Sequence, residues 1–200
     1  AATALFVASC SSNDEASEEN GKEEAVAVTY NIDVSNSSLE WATKATDGHG
    51  HMGNVAFQAG TLTMKGDAVS KGNFIVDMYS IESTDLEGDM KGALEGHLKG
   101  TIVDDMHPVN MFFNVESFPT VKVELGEYKD GNLEVTLNVV GAKLTQSVPV
   151  TIKADGEKAT ISGDFSINME STGIMGFQKQ EDGSQIGPNV DFKLNAVLTK

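Results

Sequence analysis

From residue 28 onward, apolar and polar positions alternate in short runs, each closed by turn residues. The clearest run sets Val121, Val123 and Leu125 against Lys122 and Glu124. A two-residue period sends successive side chains to opposite faces, so it predicts a strand with one dry side and one wet side. Leu133, Val135, Leu137 and Val139 repeat the pattern, followed by Val148, Val150 and Ile152. Ile161, Gly163, Phe165, Ile167 and Met169 continue it, and the chain closes on Val190, Phe192, Leu194, Ala196 and Leu198. Earlier runs hold Tyr30, Ile32 and Val34, then Leu39 and Trp41, then Val55, Phe57 and Ala59, then Leu62 and Met64, then residues 74–81. Asp130-Gly131 and Asp155-Gly156 stand between runs as hairpin turns, and Lys65-Gly66-Asp67 marks another break. Segments 47–53, 141–147 and 173–189 read as loops.

One stretch departs from the two-residue period. Over 83–98, Leu86, Met90, Leu94 and Leu98 recur every fourth residue, which predicts a helix laying that face on the sheet. Ser83, Thr84 or Asp85 could cap it. Gly88, Gly92, Gly96 and Gly100 share the spacing, and each glycine inside a helix costs about 1 kcal/mol relative to alanine. The remaining pattern gives about eight to ten strands, with no βαβ spacing and no repeat. The predicted class is all-β, antiparallel and single-domain. Alternation alone does not choose between a sandwich and a closed barrel.

Charge narrows the function classes. The 200 residues carry 30 acidic and 14 basic side chains, a net charge of −16. Such a surface repels phosphate backbones, so no nucleic-acid partner is expected. It also opposes adsorption to anionic headgroups, so membrane attachment would have to be covalent. The single cysteine, Cys10, excludes an internal disulfide and a cysteine-rich zinc site. Val7-Ala8-Ser9-Cys10 resembles a bacterial lipobox behind a short apolar run, which implies lipidation at Cys10. Residues 1–9 then read as the remnant of a lipoprotein signal peptide, and 10–27 as an acidic tether with too little apolar area to order itself. Residues 28–200 are the folded domain. Ser11 after the cysteine favours outer-membrane anchoring, on the periplasmic or the surface side. The acidic run is either a surface-export signal or a solvated spacer.

Chemistry-bearing motifs are sparse. His49 and His51 form a His-x-His pair among glycines, without the ligand cluster a metal needs, and read as loop histidines. His97, Asp104, Asp105 and His107 flank a loop, but no G-x-S-x-G elbow accompanies them. Acids are too numerous for any catalytic pair to stand out, and no phosphate-cradling glycine loop occurs. The expectation is a protein without catalytic residues, without a resident cofactor and without a metal.

Phe112-Phe113-Asn114-Val115-Glu116-Ser117-Phe118-Pro119-Thr120 resembles the "FFDVExYPT" signature of the YceI-like family. These are lipocalin-fold proteins that bind polyisoprenoids and similar long amphiphiles. Tyr30-Asn31-Ile32-Asp33 resembles the family's first strand, with Asn36 where a histidine is usual, and Gly96-His97-Leu98-Lys99 resembles the segment before the FF pair. The stretch 101–111 is longer than the family usually has, which implies an extended mouth loop. Asn114 stands for the usual aspartate, and Asn168-Met169 for a frequent Asp-Arg.

The resemblance implies a lipocalin-like β-barrel with one short helix near its mouth. It also implies an apolar interior for a polyisoprenoid, quinone or fatty-acyl chain. Losing the carboxylate and the arginine points to a neutral ligand, such as a quinone, rather than a pyrophosphate. The inward set is Trp41, Phe57, Phe74, Val76, Met78, Phe112, Phe113, Phe118, Leu137, Val139, Phe165, Ile167, Phe192 and Leu194. The partners expected are a long apolar small molecule and the membrane, with a homodimer left open. The competing reading is a lipid-anchored interaction module whose barrel is filled by its own side chains.

Overall fold

The computed structural model describes residues 25–45, 47–105, 107–178 and 186–200. Cys10 and the tether before Ala25 lie outside them. Among the described residues, ten strands run in chain order. They are β1 (Ala27–Ile32), β2 (Ser38–Ala42), β3 (Met52–Lys65), β4 (Ala68–Ser83), β5 (Thr120–Lys129), β6 (Asn132–Val139), β7 (Ala142–Pro149), β8 (Thr151–Asp155), β9 (Lys158–Asn168) and β10 (Asn189–Thr199). One helix, α1 (Gly88–Lys99), lies between β4 and β5.

All pairings are antiparallel, in the order β7-β6-β5-β4-β3-β1-β10-β9-β8, with β2 also between β3 and β10. Strands β1 and β2 are one lane interrupted at Val34–Asn36, where the Asp33 carboxylate accepts the N–H groups of Ser35 and Asn36. Val34 therefore leaves the alternation and is exposed. The two ends of the sheet, β7 and β8, follow one another in sequence across Val150. The first pairs with β6 and the second with β9, which closes the sheet into a barrel of eight lanes.

The two ends of this barrel differ. One carries two-residue hairpins after β3, β5 and β8, where Gly66, Asp130 with Gly131, and Gly156 take positive φ. Short polar residues and glycine tolerate that conformation, so the turns form where the sequence predicts them. The other end carries the long connections 43–51, 84–119 and 169–188.

Three expectations are corrected. The segment 141–147 is mostly strand β7, entered by a two-residue turn in which Val140 and Gly141 have φ of 50° and 81°. A valine there is sterically costly, so no turn is legible in the sequence. Ala59 does not share a face with Val55 and Phe57, because a bulge between Phe57 and Ala59 shifts the period and leaves Ala59 exposed. Helix α1 starts later than the periodicity predicts. Its N-cap, Glu87, makes no side-chain cap bond, and only Gly96 and Leu98 are buried while Met90 is 68% exposed. It docks through its last two turns, where Glu95 Oε1 accepts the Ser83 N–H at 3.0 Å and Gly96 lets Ile102 pack directly on the helix backbone. Residues 112–119 lie ahead of β5, as a strand entrance. Phe113 N–H and Val115 N–H bond back to the carbonyls of Leu98 and Lys99, and the two-residue period begins only at Thr120.

Candidate ligand-binding cavity

Alternation in every lane sends one row of apolar side chains inward. On β10 the row is Val190, Phe192, Leu194, Ala196 and Leu198. The first four line a cavity, while Leu198 is fully buried beyond its end. Tyr30 and Leu62, cross-strand partners, are buried with Leu198 in the hairpin-end core and do not line the cavity either.

Above this plug the interior is hollow. About 180 Å³ is open to the centre of a water-sized sphere, against the ~10–15 Å³ that one water requires. The lining extends from Leu133 and Val150, low in the barrel, to Phe177, Ile186 and His51 among the long loops. From Val190 to Ala196 the wall covers about 20 Å of strand. Among the described residues, only Thr43 and His51 interrupt an otherwise apolar lining. Rings in the wall pack in tilted pairs, Phe57 with Phe74 at 5.7 Å and Phe165 with Phe192 at 5.9 Å.

Two of the long connections meet over the mouth. Phe112 packs edge-on against Phe177 with ring centroids 6.2 Å apart. Gly176, whose N–H donates to the Met111 carbonyl at 2.8 Å, lies so close under Phe112 that an added Cβ would fall 2.3 Å from the ring. Only glycine fits there.

Thirteen of the fourteen residues read as inward from the sequence line this cavity. Phe118 does not. It sits half-buried outside, with its ring over Gly141, because the residues before Pro119 turn rather than extend. Sequence reasoning missed Phe177 and Ile186, which occupy an irregular segment without periodicity. The available signal was Ile174-Met175-Gly176-Phe177, an apolar cluster inside a polar loop.

A profile of the YceI-like domain matches residues 30–198. The chain belongs to the YceI-like domain family. Among solved structures, it is similar to BcnA of Burkholderia cenocepacia, with a TM-score of 0.55 and 19% identity, covering 83% of this chain and 98% of that one. It is also similar to a polyisoprenoid binding domain from Saccharophagus degradans implicated in plant cell wall breakdown. There the TM-score is 0.58 and the identity 10%, covering 85% of this chain and 97% of that one. No curated protein matches the chain.

Two departures from the YceI-like pattern now have a place. Asn114 takes φ 44° and its carbonyl accepts from Ser117 and Phe118, so the position shapes a turn, and asparagine suits that left-handed conformation as aspartate does. It does not line the cavity. Met169 does line it and is buried, so this YceI-like chain puts a thioether into the wall.

The polar groups stand at the mouth. His51 Nδ1 lies 2.9 Å from Asp85 Oδ2, while Asp85 Oδ1 accepts the Ser83 hydroxyl at 2.8 Å and the Met52 N–H at 3.2 Å. Burial pushes the Asp85 carboxyl up, but these hydrogen bonds outweigh it and hold it down to about 2. Nearby, the His49 ring holds the exposed Asp47 carboxyl low and is itself raised by it.

Proposed function

We propose that this protein binds and carries a long, neutral, apolar amphiphile of the polyisoprenoid, quinone or fatty-acyl type in the barrel cavity, and that it is a binder rather than an enzyme. The observation that carries the reading is a deep cavity whose only polar lining side chains among the described residues, Thr43 and His51, stand at its mouth. That arrangement suits a ligand with an apolar tail and a modest polar end. Among the described residues the wall holds Met169 and no Asp, Glu, Lys or Arg, which favours a neutral ligand over a pyrophosphate. The similar domain from Saccharophagus degradans, described as polyisoprenoid binding, supports the class.

The tail would supply the affinity. Each buried CH₂ contributes about 0.8 kcal/mol, roughly fourfold in Kd, until the cavity is full. We place the protein in the cell envelope, anchored through lipidated Cys10 to the outer membrane. The test is native mass spectrometry of the protein from its own cells, with organic extraction of what travels with it. A bound species of defined mass and apolar character supports the proposal, as does affinity rising with chain length in a homologous series. A chain that carries nothing and shows no dependence on tail length would overturn it.

A further inference from the structure

All four histidines lie at the loop end of the barrel, each within ion-pair distance of an aspartate. Two of these pairs share Asp104 and so form a larger set. His97, on the last turn of α1, and Asp104 and His107, on the extended loop after it, place one ligand atom each within 4.8 Å of one another. The two imidazoles stack nearly parallel, with centroids 4.1 Å apart and planes at 14°.

We propose that His97, Asp104 and His107 bind a divalent cation of the zinc class, which staples the extended loop to α1. Two imidazole nitrogens and one carboxylate are a donor set for zinc and its borderline neighbours, since calcium and magnesium prefer oxygen throughout. The distances fit. Bond lengths near 2.0–2.1 Å put tetrahedral ligand atoms about 3.3 Å apart. Here His107 Nδ1 to Asp104 Oδ1 is 2.9 Å and His97 Nε2 to Asp104 Oδ2 is 4.0 Å. Bringing all three onto one ion requires His97 Nε2 to approach Asp104 and the two stacked rings to tilt until both nitrogens face it.

The loop is already shaped for this. Asp104 and His107 exchange backbone N–H···O bonds, both 3.2 Å, and the Asp104 carboxylate accepts the His107 N–H at 2.7 Å. Binding replaces the ring hydrogen bond between His107 and Asp104 with two metal bonds and releases any proton on the coordinating nitrogen to solvent. Three coordinating groups leave a position for water, as in sites that are not purely structural.

Position gives the site a consequence for the cavity. Leu94 and Leu98 on the same helix line the interior, and the loop runs directly into Phe112 and Phe113, which line it too. An ion joining His97 to His107 therefore ties together two parts of the mouth wall.

The experiment is calorimetric titration of the chelator-stripped full chain with zinc sulfate, repeated with cobalt chloride to read the visible spectrum. One zinc per chain, a Co²⁺ spectrum of low-coordinate form and a zinc-dependent rise in Tm are expected. His107→Ala and His97→Ala should each weaken binding more than tenfold, whereas His49→Ala should leave it unchanged. Should His97→Ala fail to fold, His107→Gln, on a surface loop, decides the matter with Asp104→Asn. Absence of stoichiometric binding overturns the proposal. So does binding that survives both loop variants or is lost in His49→Ala. None of these readouts depends on what the cavity carries.

Discussion

At the hairpin end of the barrel, Tyr30, Leu62 and Leu198 are packed against one another's strands above turns two residues long. At the loop end, Phe112 and Phe177 meet across the mouth, one from the connection before β5 and the other from the connection before β10. The first end spends its apolar residues on each other, and the second arranges them around a space. Both ends close the same lanes, so the difference lies in connection length and not in the strands. Long connections supply side chains that reach over a mouth without the register constraint that forces strand neighbours together.

Substitutions should separate the two ends, and the largest effect is expected at the plug. Leu62→Ala removes a fully buried side chain outside the cavity. It should cost about 2–5 kcal/mol in urea unfolding while leaving ligand affinity nearly unchanged. Phe113→Ala is the counterpart at the mouth, at a half-buried residue that lines the cavity. Its stability loss should be below about 2 kcal/mol, under the ~3–5 expected of a packed phenylalanine. Affinity for an apolar ligand should change several-fold, read by competition with a fluorescent fatty acid. Equal stability losses in the two variants would erase the contrast.

A smaller effect concerns the polar mouth. Asp85 receives hydrogen bonds from Ser83, Met52 and His51, so Asp85→Asn should cost about 1 kcal/mol. Its carboxyl sits at about 2 in the folded protein against an ordinary 3.8. A depressed value means the stabilisation is full above about pH 4 and is lost as pH falls toward 2. Wild type should therefore lose stability over that window faster than Asp85→Asn, as monitored by urea midpoints. The smallest effect is expected at Val140, whose φ of 50° strains a β-branched residue. Val140→Asn should stabilise by about 0.5 kcal/mol, relieving backbone strain but giving up the valine's contact with the core.

Strand lanes and hairpin turns were legible because their cause is local. Alternation marks a half-buried strand, and Gly66, Asp130-Gly131 and Asp155-Gly156 mark the turns. The Val140-Gly141 turn was not, since its first residue contradicts the local rule and is held by the pairing of Val139 with Ala142. The helix stripe misled for a different reason. Leu86, Met90, Leu94 and Leu98 share a spacing, but α1 touches the barrel chiefly near its C-terminus, so Met90 points to solvent. Phe118 was placed inward as an aromatic at a strand entrance, whereas the residues before Pro119 form a turn. Phe177 became part of the mouth through tertiary contact with Phe112 and Gly176, which no periodicity encodes.

The join between β7 and β9 carries a mechanical consequence. The second half of that wall, above the stretch of β9 covered by β8, has no strand-to-strand ladder with β7. Gln146 Nε2 donating to the Asn168 carbonyl is its described cross-link. A cylinder with no ladder along this half-seam is weak there under internal pressure. A guest bulkier than the bore would widen this seam without unzipping any paired strands, and amide deuteration along β7 should report that strain before any other lane.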